Sequence, residues 1–190
     1  MTKHFAGALI AYALILFGCR NSAATDAKAT RVAYPSAAAS FIPLWAANDA
    51  GFFKKANLAV ELVSIRSSPI AMTAFVAKKS FLAEKQALMV RFFRALAESI
   101  HFLQARPKEG MAITKRYLRI GDDDILQAVY DLHVKLLPKL PEIQPEDLKL
   151  VLEEIALTNP KAKGADPAAF IDDRVLREVA KFGFAEQFYR

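Results

Sequence analysis

Two short loops carry the residue types that hold a small anion or polar group. In the first, Ser36 and Ser40 offer hydroxyls and Phe41 offers an aromatic wall. In the second, Arg66, Ser67 and Ser68 set a guanidinium beside two hydroxyls. Each loop follows a strand-like run and precedes a helix-like one. Ligands of α/β folds sit beyond the carboxyl ends of the strands, in such loops, and the free N–H groups at a helix start favour an anion. Ser40 and Ser68 also fit as plain helix caps, and Arg66 as a solvated cation. Trp45, at helical spacing from Phe41, suits a core position better than a ligand stacker. His101 and His133 each lack a histidine or carboxylate at i+4, so neither suggests a metal pair. Acid pairs such as Asp172-Asp173 stand at helix starts, where the dipole accounts for them.

Catalytic patterns are absent from the sequence: no Gly-x-Ser-x-Gly, no phosphate-cradling glycine loop and no His-Glu-x-x-His. Cys19 is the sole cysteine, so the body beyond it has no disulfide, no cysteine metal site and no cysteine nucleophile. The residues therefore point to a binding protein rather than an enzyme, with no cofactor.

The elements that must position these loops begin after an unusual N-terminus. Met1 to His4 give a short basic start, and residues 5–18 run without a charge. That run is too short for a stable bilayer span and suits the core of a signal peptide. Ser22 and Ala24 are the small residues expected before a cut at Thr25, which makes residues 1–24 the signal. Leu16-Phe17-Gly18-Cys19 also reads as a lipoprotein box, in which Cys19 would carry a lipid anchor; alternatively Cys19 is a small apolar residue of the signal core. Residues 25–30 read as a linker.

Composition bounds the rest. Of 190 residues 54% are hydrophobic and 24% charged, too apolar for a disordered chain. The formal charge is +6; loss of residues 1–24 removes Lys3 and Arg20, and 24 remaining basic residues against 20 acidic ones leave +4. The cations are scattered, without a dense run or aromatic interleaving, so no nucleic-acid partner is expected.

Residues 31–34 suit a buried strand, residues 35–40 a small-residue loop, and residues 41–48 a helix capped by Ser40. Gly51 breaks that helix, residues 52–55 add a turn, and Asn57 ends it in the left-handed region. Residues 58–65 alternate as a strand does, which predicts a strand–helix–strand crossover with a parallel pair. Ser68 and Pro69 then open another helix. Beyond residue 75 the pattern is helical: residues 84–106 carry a stripe of Met89, Phe92 or Phe93, Leu96, Ile100 and Leu103. Residues 108–118 form a second helix. The acidic run at 122–124 starts a third with the stripe Ile125, Val129, Leu132 and Leu136, stopped by Pro138. Pro145 starts a fourth with Leu148, Val151, Leu152 and Ile155, and the last segments begin at Asp166-Pro167 and Asp172. Two strands facing about a hundred helical residues depart from the alternation of an α/β domain, which places a missing block between about residues 74 and 80.

Tyr34-Pro35-Ser36, residues 40–45 (Ser-Phe-Ile-Pro-Leu-Trp), residues 50–55 (Ala-Gly-Phe-Phe-Lys-Lys) and Val60-Glu61-Leu62-Val63 follow one another in a recognisable order. This order resembles the opening of the solute-binding proteins of ABC importers, of the nitrate/sulfonate/taurine and thiamine-precursor type. Residues 65–74 are similar to the loop and helix start after the second strand. Residues 76–103 resemble a much later part, where a return strand leads into a long helix. Tyr117-Leu118, Leu136-Leu137-Pro138, residues 159–163 and residues 166–189 are similar to the C-terminal third. The resemblance implies an incomplete periplasmic-binding-protein-like (type II) α/β fold. Residues 31–75 would be the N-terminal α/β portion of one lobe, and residues 76–190 a predominantly helical C-terminal portion.

The implied function is delivery of a small anionic or polar organic solute to a membrane permease from the periplasm or the outer face of the cytoplasmic membrane. Such proteins close two lobes on the ligand. A chain lacking the central region would keep one face of that cleft, through Ser36, Ser40, Phe41, Arg66, Ser67 and Ser68, and bind weakly or not at all. The alternative is a helical interaction module, or a remnant of such a protein without ligand binding. A thiamine-pyrimidine synthase branch shares the fold but resembles a cysteine-rich site that this sequence does not contain.

Overall fold

The computed structural model describes residues 29–65, 75–181, 183–184 and 186–188. Residues 1–24, read above as a signal, with Cys19, most of the expected linker and the loop residues Arg66, Ser67 and Ser68, lie outside the described residues. What is described is a mixed α/β protein, about 64% helical, with one short parallel sheet.

Strand β1 (Thr30–Tyr34) leads through the 3-10 turn Ala39–Phe41 into helix α1 (Ile42–Asp49), then the single turn α2 (Phe52–Lys55) and strand β2 (Val60–Ser64). The strands pair in parallel, with Arg31 opposite Glu61 and Tyr34 opposite Ser64. The breaks between them are local chemistry. Gly51 sits at φ +80°, a conformation only glycine takes without a Cβ penalty. Asn57 at φ +54° reverses the chain into β2. Val32, Tyr34, Val60 and Leu62 turn toward the helices, whereas Arg31 and Glu61 form an ion pair on the open face.

Residues 75–78 form neither helix nor strand with the described residues, so the return strand expected there is not seen. Helix α3 (Lys79–Glu84) follows, and a bend at Lys85 separates it from α4 (Gln86–Ala105). The long helix expected over residues 84–106 is α4, and α3 is a separate helix ahead of it. α4 is the spine: Met89, Phe92, Phe93, Leu96, Ile100 and Leu103 are buried along it. It packs on α1, α2 and the C-terminal α8 (Arg174–Ala180). Buried Ser99 donates its hydroxyl proton toward the Pro43 and Leu96 carbonyls at 2.9 and 2.7 Å, joining α4 to α1. The portions on either side of residue 75 thus share one core.

Helix α5 (Pro107–Leu118) starts at a proline, as its N-terminal position permits, and ends at Arg119 in the left-handed region. Helix α6 (Asp123–Lys135) is capped by Asp122, whose carboxylate accepts from the Asp124 and Ile125 N–H groups. The expected core stripe of α6 is corrected here. Leu126, Tyr130 and Val134 are buried, whereas Ile125, Leu132 and Leu136 are 56%, 60% and 74% exposed. The reason is the approach of α5: Gly110 has no Cβ, and Tyr130 fills that space with its hydroxyl donating to the Leu103 carbonyl at 2.7 Å.

Helix α7 (Pro145–Ala156) opens with a capping box between Gln144 and Asp147. Its stripe of Leu148, Val151, Leu152 and Ile155 is half-buried, against the 3-10 turns Pro160–Ala162 and Pro167–Phe170. Asn159 and Asp166 cap those turns. No helix among the described residues is long and apolar enough to cross a membrane.

Candidate functional site

The carboxyl end of β1 opens directly onto the first predicted loop. Tyr34, the last residue of that strand, lies with its ring 5.7 Å from Phe41 and 6.1 Å from Trp45. Phe41 lies 6.4 Å from Trp45, and Trp45 stacks flat on Tyr117 of α5 at 4.6 Å and 3°. Four aromatic rings thus line one continuous wall. Its inner member, Trp45, is fully buried, and Tyr34, Phe41 and Tyr117 are half-buried. Offset and edge-on ring pairs of this kind add roughly 0.5–1.5 kcal/mol each beyond their burial.

A polar clasp holds the wall from behind. Asp49, at the end of α1, accepts from the Tyr117 hydroxyl at 2.9 Å and from Arg116 at 2.6 Å. Its side chain is only 11% exposed, so the ion pair is partly shielded from water. Burial, and then the Asp49 carboxylate at the hydroxyl, push the Tyr117 phenol up to about 12. Tyr117 is therefore a neutral hydrogen-bond donor at any physiological pH. The indole Nε1–H of Trp45 is buried without a hydrogen-bond partner among the described residues, an uncommon state for a buried donor.

The predicted site residues divide. Phe41 packs among the aromatic rings of Tyr34 and Trp45. Ser36 and Ser40 are exposed, and neither hydroxyl bonds to any described residue. The capping role expected for Ser40 is corrected. Ser40 lies inside the turn Ala39–Phe41, whose cap position is Ala38, while Phe41 occupies the cap position of α1. Neither cap makes a side-chain hydrogen bond, because alanine and phenylalanine carry no acceptor; Pro43 in the first turn of α1 leaves one fewer N–H group to satisfy. Ser40 Oγ is thereby left to face solvent. Arg66, Ser67 and Ser68 lie outside the described residues, so the second loop adds no geometry.

Asp49, Arg116 and the Trp45–Tyr117 stack were not anticipated as parts of one site. Tyr117 was singled out only with Leu118, and nothing local connects position 49 with position 117, which is 68 residues away. Two depressions lie elsewhere, between α4 and α8. One of about 10 Å³ is lined by Leu82, Gln86, Asp172 and Arg174, and one of about 580 Å³ is open to solvent beside Arg177 and Lys181. Neither touches Ser36, Ser40 or Phe41. Among the described residues no group of three histidine, cysteine or acidic side chains is placed to hold a metal.

No family model matches this chain, and neither the curated proteins nor the solved structures contain a significant match to it. The reading of the site therefore rests on its own geometry and on the order of motifs in the sequence.

Proposed function

We propose that this chain is a solute-binding component of an ABC importer, with an incomplete periplasmic-binding-protein-like (type II) fold that keeps one face of the ligand cleft. The observation that carries the reading is the loop at the carboxyl end of β1. It presents two serine hydroxyls, unbonded among the described residues, beside an aromatic wall that ends at Phe41. In a parallel α/β unit this is the edge at which ligands bind. Hydroxyls suit an anionic or polar group, and aromatic faces suit the organic remainder of a small solute. The order of motifs from Tyr34 to Val63 supports the same reading, as does the parallel crossover they form. Export would follow from residues 1–24 and anchoring from lipidated Cys19, with the permease as the membrane partner.

Among the described residues no second lobe encloses the exposed loop, and a ligand that buries little of its surface binds weakly. Trp45 is the only tryptophan in the sequence and touches both Phe41 and Tyr117, so its fluorescence reports on this wall. Titration with a small alkyl sulfonate, such as taurine, should change that signal saturably in the millimolar range. Exchanging Ser36 and Ser40 together for alanine should remove the change. No response at millimolar sulfonate or nitrate would sink the binding reading, and micromolar affinity would sink the incomplete cleft.

A helical interaction module is the second reading. It is favoured by the large apolar side chains Leu150, Leu157 and Phe170 that the C-terminal half leaves exposed.

A further inference from the structure

Helix α6 carries two apolar stripes, and the core uses only one of them. Leu126, Tyr130 and Val134 face α4 and α5, with Leu137 just beyond the helix packed against the same cluster. Ile125, Val129, Leu132 and Leu136 follow the spacing i, i+4, i+7, i+11, which at about 100° per residue places all four within an arc of roughly 60°. That is the seam spacing of paired helices, apolar residues recurring every 3.5 positions on average. Along about 16 Å of helix the described residues leave this seam open: Ile125, Leu132 and Leu136 are more than half exposed and Val129 is half-buried. Four branched aliphatic side chains in one row have a cost in water that a surface helix normally avoids.

The charges beside the seam say what would cover it. Asp124 and Lys135 lie on one flank of the seam, eleven residues apart, and neither is in an ion pair or side-chain hydrogen bond with a described residue. The amino end of the helix is acidic, with Asp122, Asp123 and Asp124, and its last turn carries His133 and Lys135. A second α6 running antiparallel across this seam would set Ile125 against Leu136 and Val129 against Leu132, twice each by symmetry. It would also bring Asp124 of each chain beside Lys135 of the other. The two helix dipoles would then oppose, positive end beside negative end. A parallel pairing would stack acid on acid and cation on cation. The row is thus complementary to itself in one orientation, which is what a two-fold interface requires.

We infer that the exposed seam of α6 is a self-association surface, on which two copies of this chain pair through antiparallel α6 helices. The seam itself contains no residue of the Phe41 wall, although the opposite, buried face of α6 shares a core cluster with Phe41 and Trp45. A seam of this length lies at the small end of specific interfaces, so the dimer should dissociate at roughly 10 µM.

The test is sedimentation velocity of the full-length chain at about 100 µM, some tenfold above that constant. The wild-type chain should sediment as a dimer. Asp124→Lys and Lys135→Asp should each weaken it by about tenfold or more, since each turns two attractions into two repulsions. An equimolar mixture of these two variants should dimerise again, because the mixed pair restores opposite charges at both contacts. Leu132→Glu should be monomeric, with far-UV circular dichroism unchanged because Leu132 is outside the core. A monomeric wild-type chain overturns the inference. So does a dimer indifferent to both charge reversals, an assembly larger than a dimer, or a mixture that fails to recover.

Discussion

Adding one methyl group at Gly110 should destabilise this protein, although alanine is the better helix former. A Cβ built there meets the Tyr130 hydroxyl at 2.0 Å, the ring carbon that bears it at 2.7 Å and Leu103 Cδ2 at 2.9 Å. All three neighbours are buried, so none can swing into solvent. Overpacking of this kind costs about 1–3 kcal/mol. Displacing Tyr130 also strains its hydrogen bond to the Leu103 carbonyl, in the last turn of α4, where carbonyls lack helical partners. A buried bond of that type contributes about 1 kcal/mol. Against these stands a propensity gain of about 1 kcal/mol for glycine to alanine inside a helix. The balance is a loss of about 2 kcal/mol, or roughly 4–8 °C in Tm for a chain of this size. Urea denaturation of Gly110→Ala, followed by tyrosine and Trp45 fluorescence, measures it. The double variant Gly110→Ala with Tyr130→Phe removes the 2.0 Å contact, so it should be less damaged than the sum of the single changes predicts. A Gly110→Ala protein as stable as wild type would refute the close packing of α5 against α6.

Three further outcomes follow from the same geometry. The Tyr117 phenol is raised from 10.0 to about 12 by burial and by Asp49, so the unfolded chain loses that proton first. Stability present below pH 10 should fall as pH rises toward 12, and Tyr117→Phe should lessen the fall, measured by urea midpoints across that range; an unchanged slope would count against the clasp. Ser99→Ala should cost about 1 kcal/mol by leaving the half-buried Pro43 carbonyl short of its donor, read as a lower urea midpoint with unchanged m-value. The intact mass of protein recovered from the cell envelope should match residues 25–190, or a lipidated chain from Cys19. A mass larger by on the order of a hundred residues would instead mean that a further lobe completes the cleft.

The parts of the fold legible in the sequence are those set by neighbours along the chain. Gly51 and Asn57 take positive φ and turn the chain where their types allow it. Asp122 caps α6 and Pro145 starts α7, because capping and ring geometry act within a single turn. The parallel strand pair also follows from two alternating apolar runs separated by one short crossover. Phe41 was legible as a residue beside the end of β1, where its ring meets Tyr34. Asp49 and Arg116 were not, since their contact joins two helices far apart in the chain.

Tertiary structure alone decided the matters on which local pattern is degenerate. α6 is apolar on two arcs, and periodicity ranks the Ile125 row above the Leu126 row. The missing side chain at Gly110 reverses that order by admitting Tyr130 to the core. Ser40 carries the right chemistry for a cap, but the 3-10 turn and Pro43 shift the helix start past it. Residues 75–78 have the apolar character of a strand, yet a strand needs a neighbour to bond with, and no described residue supplies one. Sequence determines what each segment can do with its own hydrogen bonds. Which apolar face is buried depends on the space that distant residues leave, and a single glycine in another helix can settle it.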